Sequence, residues 1–223
     1  MEMKNGKKFS TGNHPVETIH PLMHLVNAGF DYDIATPTGK EAIIEHWALP
    51  LKDTIICDYF NNTFKPKATK PKSLQDLILN KCKAMEDYIA IFLPGGHGAM
   101  LGLPQNENLG KILDYTKTWD IHVISICHGP AALLASTEAY KNYTISCFPD
   151  TVDQQTPMIG YLPGTMPWYF GQRLEEKLNM KIIDSGVDDT VHIDRKLISG
   201  ASPKACQALG KLSAEKLLEQ YGE

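Results

Sequence analysis

The sequence predicts an α/β protein built on a mainly parallel sheet covered on both faces. β-Branched apolar runs such as Val123–Ile126 alternate with helical patterns along most of the chain. Two of these runs end abruptly in turn-forming residues, at Pro94-Gly-Gly-His-Gly98 and at Cys127-His-Gly-Pro130. Sheets of this kind form their sites at those carboxyl ends. With 223 residues, 43% of them hydrophobic, the chain is long enough for one substantial core. Residues 1–223 are therefore read as a single domain.

The elements follow in order. Asn13 offers an N-cap and Pro15 suits a first helical turn. Ile19, Leu22, Met23 and Val26 give the apolar face of a helix closing at Ala28-Gly29. Phe30–Ala35 alternates as a strand and stops at Thr36-Pro-Thr-Gly39. Residues 40–80 are mixed, with Trp47 and a short helical piece at Leu74–Leu79, and read as a small inserted subdomain or flap. Inside them, the proline-broken lysines from Lys65 to Lys72 read as a solvated linker. Alternation resumes with a buried strand at Tyr88–Leu93 and a helix at Asn108–Thr118. The Val123–Ile126 strand with its following helix comes next, then a strand at Tyr143–Phe148. A polar, proline-rich loop runs to Trp168, followed by a helix at Tyr169–Leu178 and strands at Lys181–Asp184 and Lys196–Ser199. A last helix spans Pro203–Tyr221 with Ser202 as its cap. Such folds normally open with a strand, whereas here a polar tail leads into the first helix. Either the sheet lacks that strand or the chain begins inside a longer protein.

Composition excludes several classes. A formal net charge of −4 gives nucleic acid no general electrostatic reason to bind. No apolar stretch is long enough to cross a bilayer, and Met1–Lys8 lacks a hydrophobic signal region. Five cysteines at irregular spacing, without a CxxC, argue against a disulfide framework or a zinc knuckle. A reducing cytoplasm is the expected setting.

Cys127 carries the chemistry. A buried strand stops at it and a small-residue helix starts just after it, so the thiol lies on a sharp turn facing the N–H groups of a new helix. A helix N-terminus favours the anion, so this thiol is expected to ionise more readily than a free cysteine. The competing reading is a small buried apolar residue.

Taken together, six segments resemble the DJ-1/PfpI superfamily and its Hsp31-like (HchA-type) branch. They are Phe9–Glu17, Pro94–Gly98, Cys127–Ala131, Cys147–Asp150 with Asp153, Ile159–Gly164 and Asp194–Leu197. The resemblance implies a flavodoxin-like three-layer sandwich and a homodimer. It implies Cys127 as nucleophile, His128 as its proton-transfer partner, Asp153 as the carboxylate orienting the imidazole, and Glu17 as an acid hydrogen-bonded to the thiol. Gly95 and Gly96 would supply backbone donors to an oxyanion, and His97 would line the pocket. The activity implied is a cofactor-independent glyoxalase III, taking methylglyoxal to lactate, with removal of early glycation adducts as a related reaction. The competitors are a holding chaperone for unfolded or glycated proteins and, less favoured, a cysteine peptidase. The partners expected are thus a small aldehyde and a second copy of the chain, with neither membrane nor specific nucleic acid.

No metal is expected. The metal ligands of the best-known members fall at Val26, Asp31 and Thr63 in this sequence. His20 and His24 share a helix face at a spacing that can bind metal. They lack a clear third ligand and read as surface or packing histidines.

Overall fold

A computed structural model describes residues 1–222 apart from Ser185, with Asn80 and Lys81 given as backbone alone. Its strands are β1 (Ala35–Thr36), β2 (Lys72–Ser73), β3 (Ala90–Leu93), β4 (His122–Ile126), β5 (Thr144–Ile145), β6 (Lys181–Ile182), β7 (Val191–Asp194) and β8 (Leu197–Gly200). The main sheet has the order β3-β4-β8-β7, with β3, β4 and β8 parallel and β7 antiparallel at the edge. Short parallel pairs, β1-β2 and β5-β6, lie beside it.

Every residue of β4 is buried, as expected for a central strand covered on both faces. Alternate side chains enter different layers. Val123 and Leu197 join one apolar cluster, with Leu109, Leu113, Leu133, Phe170 and Leu174. Ile124, Ile126 and Ile198 join the other, with Ile19, Leu22, Phe60, Phe64 and Leu209. The result is the expected sandwich of helices, sheet and helices.

The helices that matter most are α1 (Pro15–Asn27), α2 (Glu107–Thr118), α3 (Asp150–Gln155), α4 (Phe170–Leu178) and α5 (Cys206–Tyr221). Helix α1 is capped by His14 rather than Asn13, the His14 ring accepting from the Glu17 N–H at 3.4 Å. Asn13 is used differently, in a parallel bridge to Ile44.

Other departures have local causes. The Phe30–Ala35 strand shrinks to Ala35–Thr36 because it meets only the short Lys72–Ser73 segment. The lysines read as a linker are clamps: Lys67 bonds Asp31 at 2.8 Å and Lys72 bonds Asp33 at 2.7 Å. Residues 54–68 are largely helical, and Ile56, Phe60, Phe64 and Ala68 are buried with α1. The β7–β8 hairpin was not legible, since its turn uses Arg195 at φ 57° instead of a glycine. The polar loop before Trp168 contains α3, whose buried Asp153 breaks the usual rule that such residues face water.

Candidate active site

Cys127 leaves β4 with φ 57°, a left-handed conformation that costs a non-glycine residue about 1–3 kcal/mol. The surroundings hold it there. Its N–H donates to the Gly200 carbonyl at 2.9 Å, and its own carbonyl accepts from the Phe148 N–H at 3.1 Å. Gly129 follows because a side chain there would overlap the Leu93 carbonyl and come within 2.8 Å of Ser125 Oγ. The turn is thus wedged between the ends of β3 and β8.

The residues expected from sequence converge on this turn. Cys127 Sγ lies 3.2 Å from His128 Nδ1, and His128 Nε2 lies 2.7 Å from Asp153 Oδ2. Asp153 reaches them from α3, which Asp150 ties to α4 by accepting from the Gly171 and Gln172 N–H groups at 3.0 and 2.7 Å. The other Asp153 oxygen lies 3.2 Å from His97 Nε2, and the two imidazoles tilt over one another with centroids 3.9 Å apart. Phe148 stacks on the outer side of His128 at 4.9 Å, fixing the ring plane. Cys127, His128, His97 and Asp153 are all buried.

Glu17 enters from the first turn of α1 and is buried, with Oε2 lacking a hydrogen-bond partner. It lies against Gly95, where a Cβ would overlap Glu17 Oε2 and stand 2.9 Å from Cys127 Cβ. The glycine therefore lets acid and thiol approach each other. Gly96, at φ 100°, is equally constrained, since a Cβ there would stand 2.6 Å from the His14 nitrogen.

Electrostatics correct one expectation. The segment after Cys127 is a tight 3₁₀ turn over Gly129–Ala135, and the thiol is enclosed. Burial, reinforced by the Asp153 charge and, once it ionises, by Glu17, pushes the Cys127 thiol well above its ordinary range, although the His128 backbone N–H opposes this. Desolvation thus works against the ionisation that the sequence reading expects from a helix terminus. Burial likewise pushes Glu17 up to about 8, which leaves it protonated near neutrality and able to donate. Burial also raises Asp153, but this is outweighed: the adjacent imidazoles hold it well below the usual carboxylate range. His128 is lowered by burial yet raised overall by Asp153. His97 is lowered to about 4 by burial and by His128, so it stays neutral.

Sequence reasoning missed Glu45. It is buried, accepts from Thr11 Oγ1 at 2.6 Å, and leaves Oε2 without a partner. Burial raises its carboxyl, and its charge is felt at His128 and Glu17. No motif marks it; pairing of the Asn13 segment with residues 43–45, including the Glu45 N–H donating to the Asn13 carbonyl at 3.0 Å, brings it to the site. Phe9 and Tyr161, quoted only as parts of motifs, and Trp47 also gather here, with Phe9 5.7 Å and Tyr161 6.0 Å from the His97 ring.

Metal ligation finds little support in the positions singled out from sequence. Val26 offers no donor and Asp31 is paired with Lys67. His24 Nε2 and His20 Nδ1 each lie 2.6 Å from the side-chain amide of Gln207 on α5, which makes them packing residues. Donor atoms of His97, His128 and Asp153 fall within 4.8 Å of one another. Both Asp153 oxygens there are already engaged by ring nitrogens.

A cysteine on a strained strand-end turn, paired with an adjacent histidine and a buried carboxylate in a parallel α/β sandwich, defines the class. The chain belongs to the DJ-1/PfpI family, whose pattern matches residues 10–216. It is 47% identical over 220 residues to the protein/nucleic acid deglycase HchA of an Escherichia coli O7:K1 strain, covering 97% of this chain and 77% of that protein. The fold is shared with glyoxalase III from Candida albicans (TM-score 0.74, 22% identity, 96% of this chain and 91% of that one). It is also shared with the Francisella tularensis Rapid Encystment Protein (TM-score 0.77, 23% identity, 97% and 94%).

Proposed function

We propose that this chain is an enzyme acting on 1,2-dicarbonyl compounds and their early adducts, as a glutathione-independent glyoxalase and a deglycase. The observation that carries the reading is the continuous hydrogen-bonded path from Cys127 through His128 to Asp153, with the protonated Glu17 on the other side of the sulfur. HchA, nearly half identical to this chain, bears the name deglycase, which agrees with it.

The steps follow from the site. Cys127 Sγ adds to the aldehyde carbon of methylglyoxal while its proton passes through His128 to the carbonyl oxygen, giving a hemithioacetal. His128 then takes the hydrogen of that carbon and returns it to the neighbouring carbon by way of an enediol. The first carbon is oxidised to a thioester and the second reduced to an alcohol. Water cleaves the thioester, releasing lactate and restoring the thiol. Asp153 fixes the imidazole tautomer and stabilises its charged form. The His128 N–H and the Gly95–Gly96 backbone are suited to face the developing oxyanion. In the deglycase reaction the C–S bond of a hemithioacetal adduct or the C–N bond of an aminocarbinol breaks as the carbon passes to Cys127 Sγ. The thiol proton goes through His128 to the departing thiol or amine, and the resulting Cys127 hemithioacetal follows the same steps to lactate.

Incubation with methylglyoxal, with chiral analysis of lactate and mass spectrometry of the Cys127 peptide, tests the reading. Lactate formation that disappears in Cys127→Ala supports it, and substantial turnover by that variant rejects it.

A holding role has one observation in its favour. Ile43, Leu51 and Ile55 expose large apolar side chains on one stretch of chain, at 69, 81 and 66%. Suppression of aggregation that survives Cys127→Ala would support it; unchanged aggregation at stoichiometric protein would exclude it.

A further inference from the structure

Rings from three distant segments gather beside the buried His97, which packs on the thiol's partner His128. Phe9 lies in the N-terminal arm, Trp47 in the turn before residue 50, and Tyr161 in the loop after α3. Their centroids form a nearly regular triangle: 5.8 Å from Phe9 to Trp47, 5.9 Å from Phe9 to Tyr161, and 5.8 Å from Trp47 to Tyr161. The inner side of the triangle rests on His97, which is 3% exposed, as is Cys127, while Trp47 and Tyr161 are 51% and 40% exposed. Ring contacts thus run inward from Phe9 and Tyr161 to His97 and from His97 to His128.

The three are not held equally. The Trp47 indole N–H donates to the Ser10 carbonyl at 3.2 Å, and the backbone of Phe9 is paired with Met1 in both directions at 2.8 Å. Among the described residues the Tyr161 hydroxyl has no hydrogen-bond partner, so ring contacts alone hold its side chain. Its loop carries Gly160 at φ 75° with open space around it, and the loop's far end is tied down by Asn5, whose Nδ2 donates to the Pro163 carbonyl at 3.0 Å. The Tyr161 backbone is held, its N–H donating to the Thr156 carbonyl at 3.1 Å, but a ring without a polar anchor can turn about its own side-chain bonds without breaking a hydrogen bond.

We propose that Phe9, Trp47 and Tyr161 form a size-selecting gate over the thiol, with Tyr161 as its moving leaf, so that compact 1,2-dicarbonyls pass readily and bulky aldehydes or peptide-borne adducts wait for it to open. The proposal rests on Cys127 being the reacting group, and it sets the substrate range of that reaction. Ring contact is its physical basis: rings 5.8–5.9 Å apart touch, so Tyr161 must turn for any substrate to enter. A group the size of a methyl ketone needs a smaller swing than one the size of a phenyl ring.

Thiol labelling tests the gate without relying on turnover. The intact protein and the variants Tyr161→Ala, Trp47→Ala and Tyr161→Phe are treated with iodoacetamide or with a bulky fluorescein maleimide, and the Cys127 peptide is quantified by mass spectrometry. The bulky-reagent rate is expected to rise about tenfold or more in either alanine variant, the iodoacetamide rate by less than about threefold, and Tyr161→Phe should match the parent. The phenylglyoxal-to-methylglyoxal ratio of kcat/KM should rise in parallel. Equal gains for both reagents, no gain for either, or a gain in Tyr161→Phe would overturn the gate. So would a parallel gain at buried Cys147 and Cys206, which would mean general loosening. A changed labelling ratio without lactate formation would leave the gate standing and remove the glyoxalase reading.

Discussion

Two histidine pairs in this molecule have nearly the same inventory and different consequences. His97 and His128 share the Asp153 carboxylate; His20 and His24 share the Gln207 amide. In the first pair the shared group is charged and buried and raises both rings, yet burial and the facing His128 still leave His97 lowered to about 4 while His128 is raised overall. In the second the shared group is neutral and lies at the surface of two packed helices. It pins α1 to α5, which pack so closely that a Cβ on Gly210 would stand 2.9 Å from Pro21 Cα. Two histidines near each other mean little; what matters is the charge of the group between them and how much water reaches it.

The sharpest break of the comparison is to make the two shared groups alike. Asp153→Asn leaves a neutral amide between His97 and His128, and lactate formation should fall about 10²–10⁴-fold with the fold retained, as read by kcat and circular dichroism. A variant with near-parent kcat would show that the carboxylate is only structural.

Gly95→Ala acts on the wall of the same site. The added carbon overlaps Glu17, so a stability loss of several kcal/mol is expected in urea unfolding, with loss of turnover. A loss below about 0.5 kcal/mol would mean that acid and thiol part easily.

Glu17→Gln sharpens the electrostatic side. The folded carboxyl is raised from 4.5 to about 8, so the native state binds this proton more tightly than the unfolded chain does. Its contribution is fully present below the unfolded value and is lost as pH rises through about 8. The parent should therefore lose stability relative to Glu17→Gln across that window, on the order of a few kcal/mol, and its kcat should fall through the upper limb. Parallel stability curves for the two proteins would contradict this.

The smallest effect is expected at the second pair. Gln207→Ala removes the bridge between His20 and His24, at a cost of about 0.5–1.5 kcal/mol in stability and less than a twofold change in turnover. Zinc should not raise the melting temperature of the parent through this pair. A rise that vanishes in His24→Ala would show that it binds metal after all.

Much of this was legible because it is local. The buried β4 run, the glycines of Pro94–Gly98 and the thiol on its turn are fixed by the space and backbone freedom those residues need. Neighbouring signals placed α1, α2, α4 and α5 within a few residues. Asp153 was legible as a motif member but not as a buried helical residue, since nothing near it announces that two imidazoles will cover it. Glu45 and Trp47 were invisible as site residues, because their proximity depends on how residues 43–48 lie against the N-terminal arm.

The sequence by itself determined the sandwich, the turn that raises Cys127 and the adjacency of His128, all of which depend on steric preferences spanning a few residues. Tertiary structure decided the burial of the sulfur and of Glu17, the pairing of Asp153 with both rings, and the gathering of three aromatic side chains beside His97. Those depend on desolvation and on contacts between segments far apart in the chain, and dielectric surroundings exist only once the chain has packed.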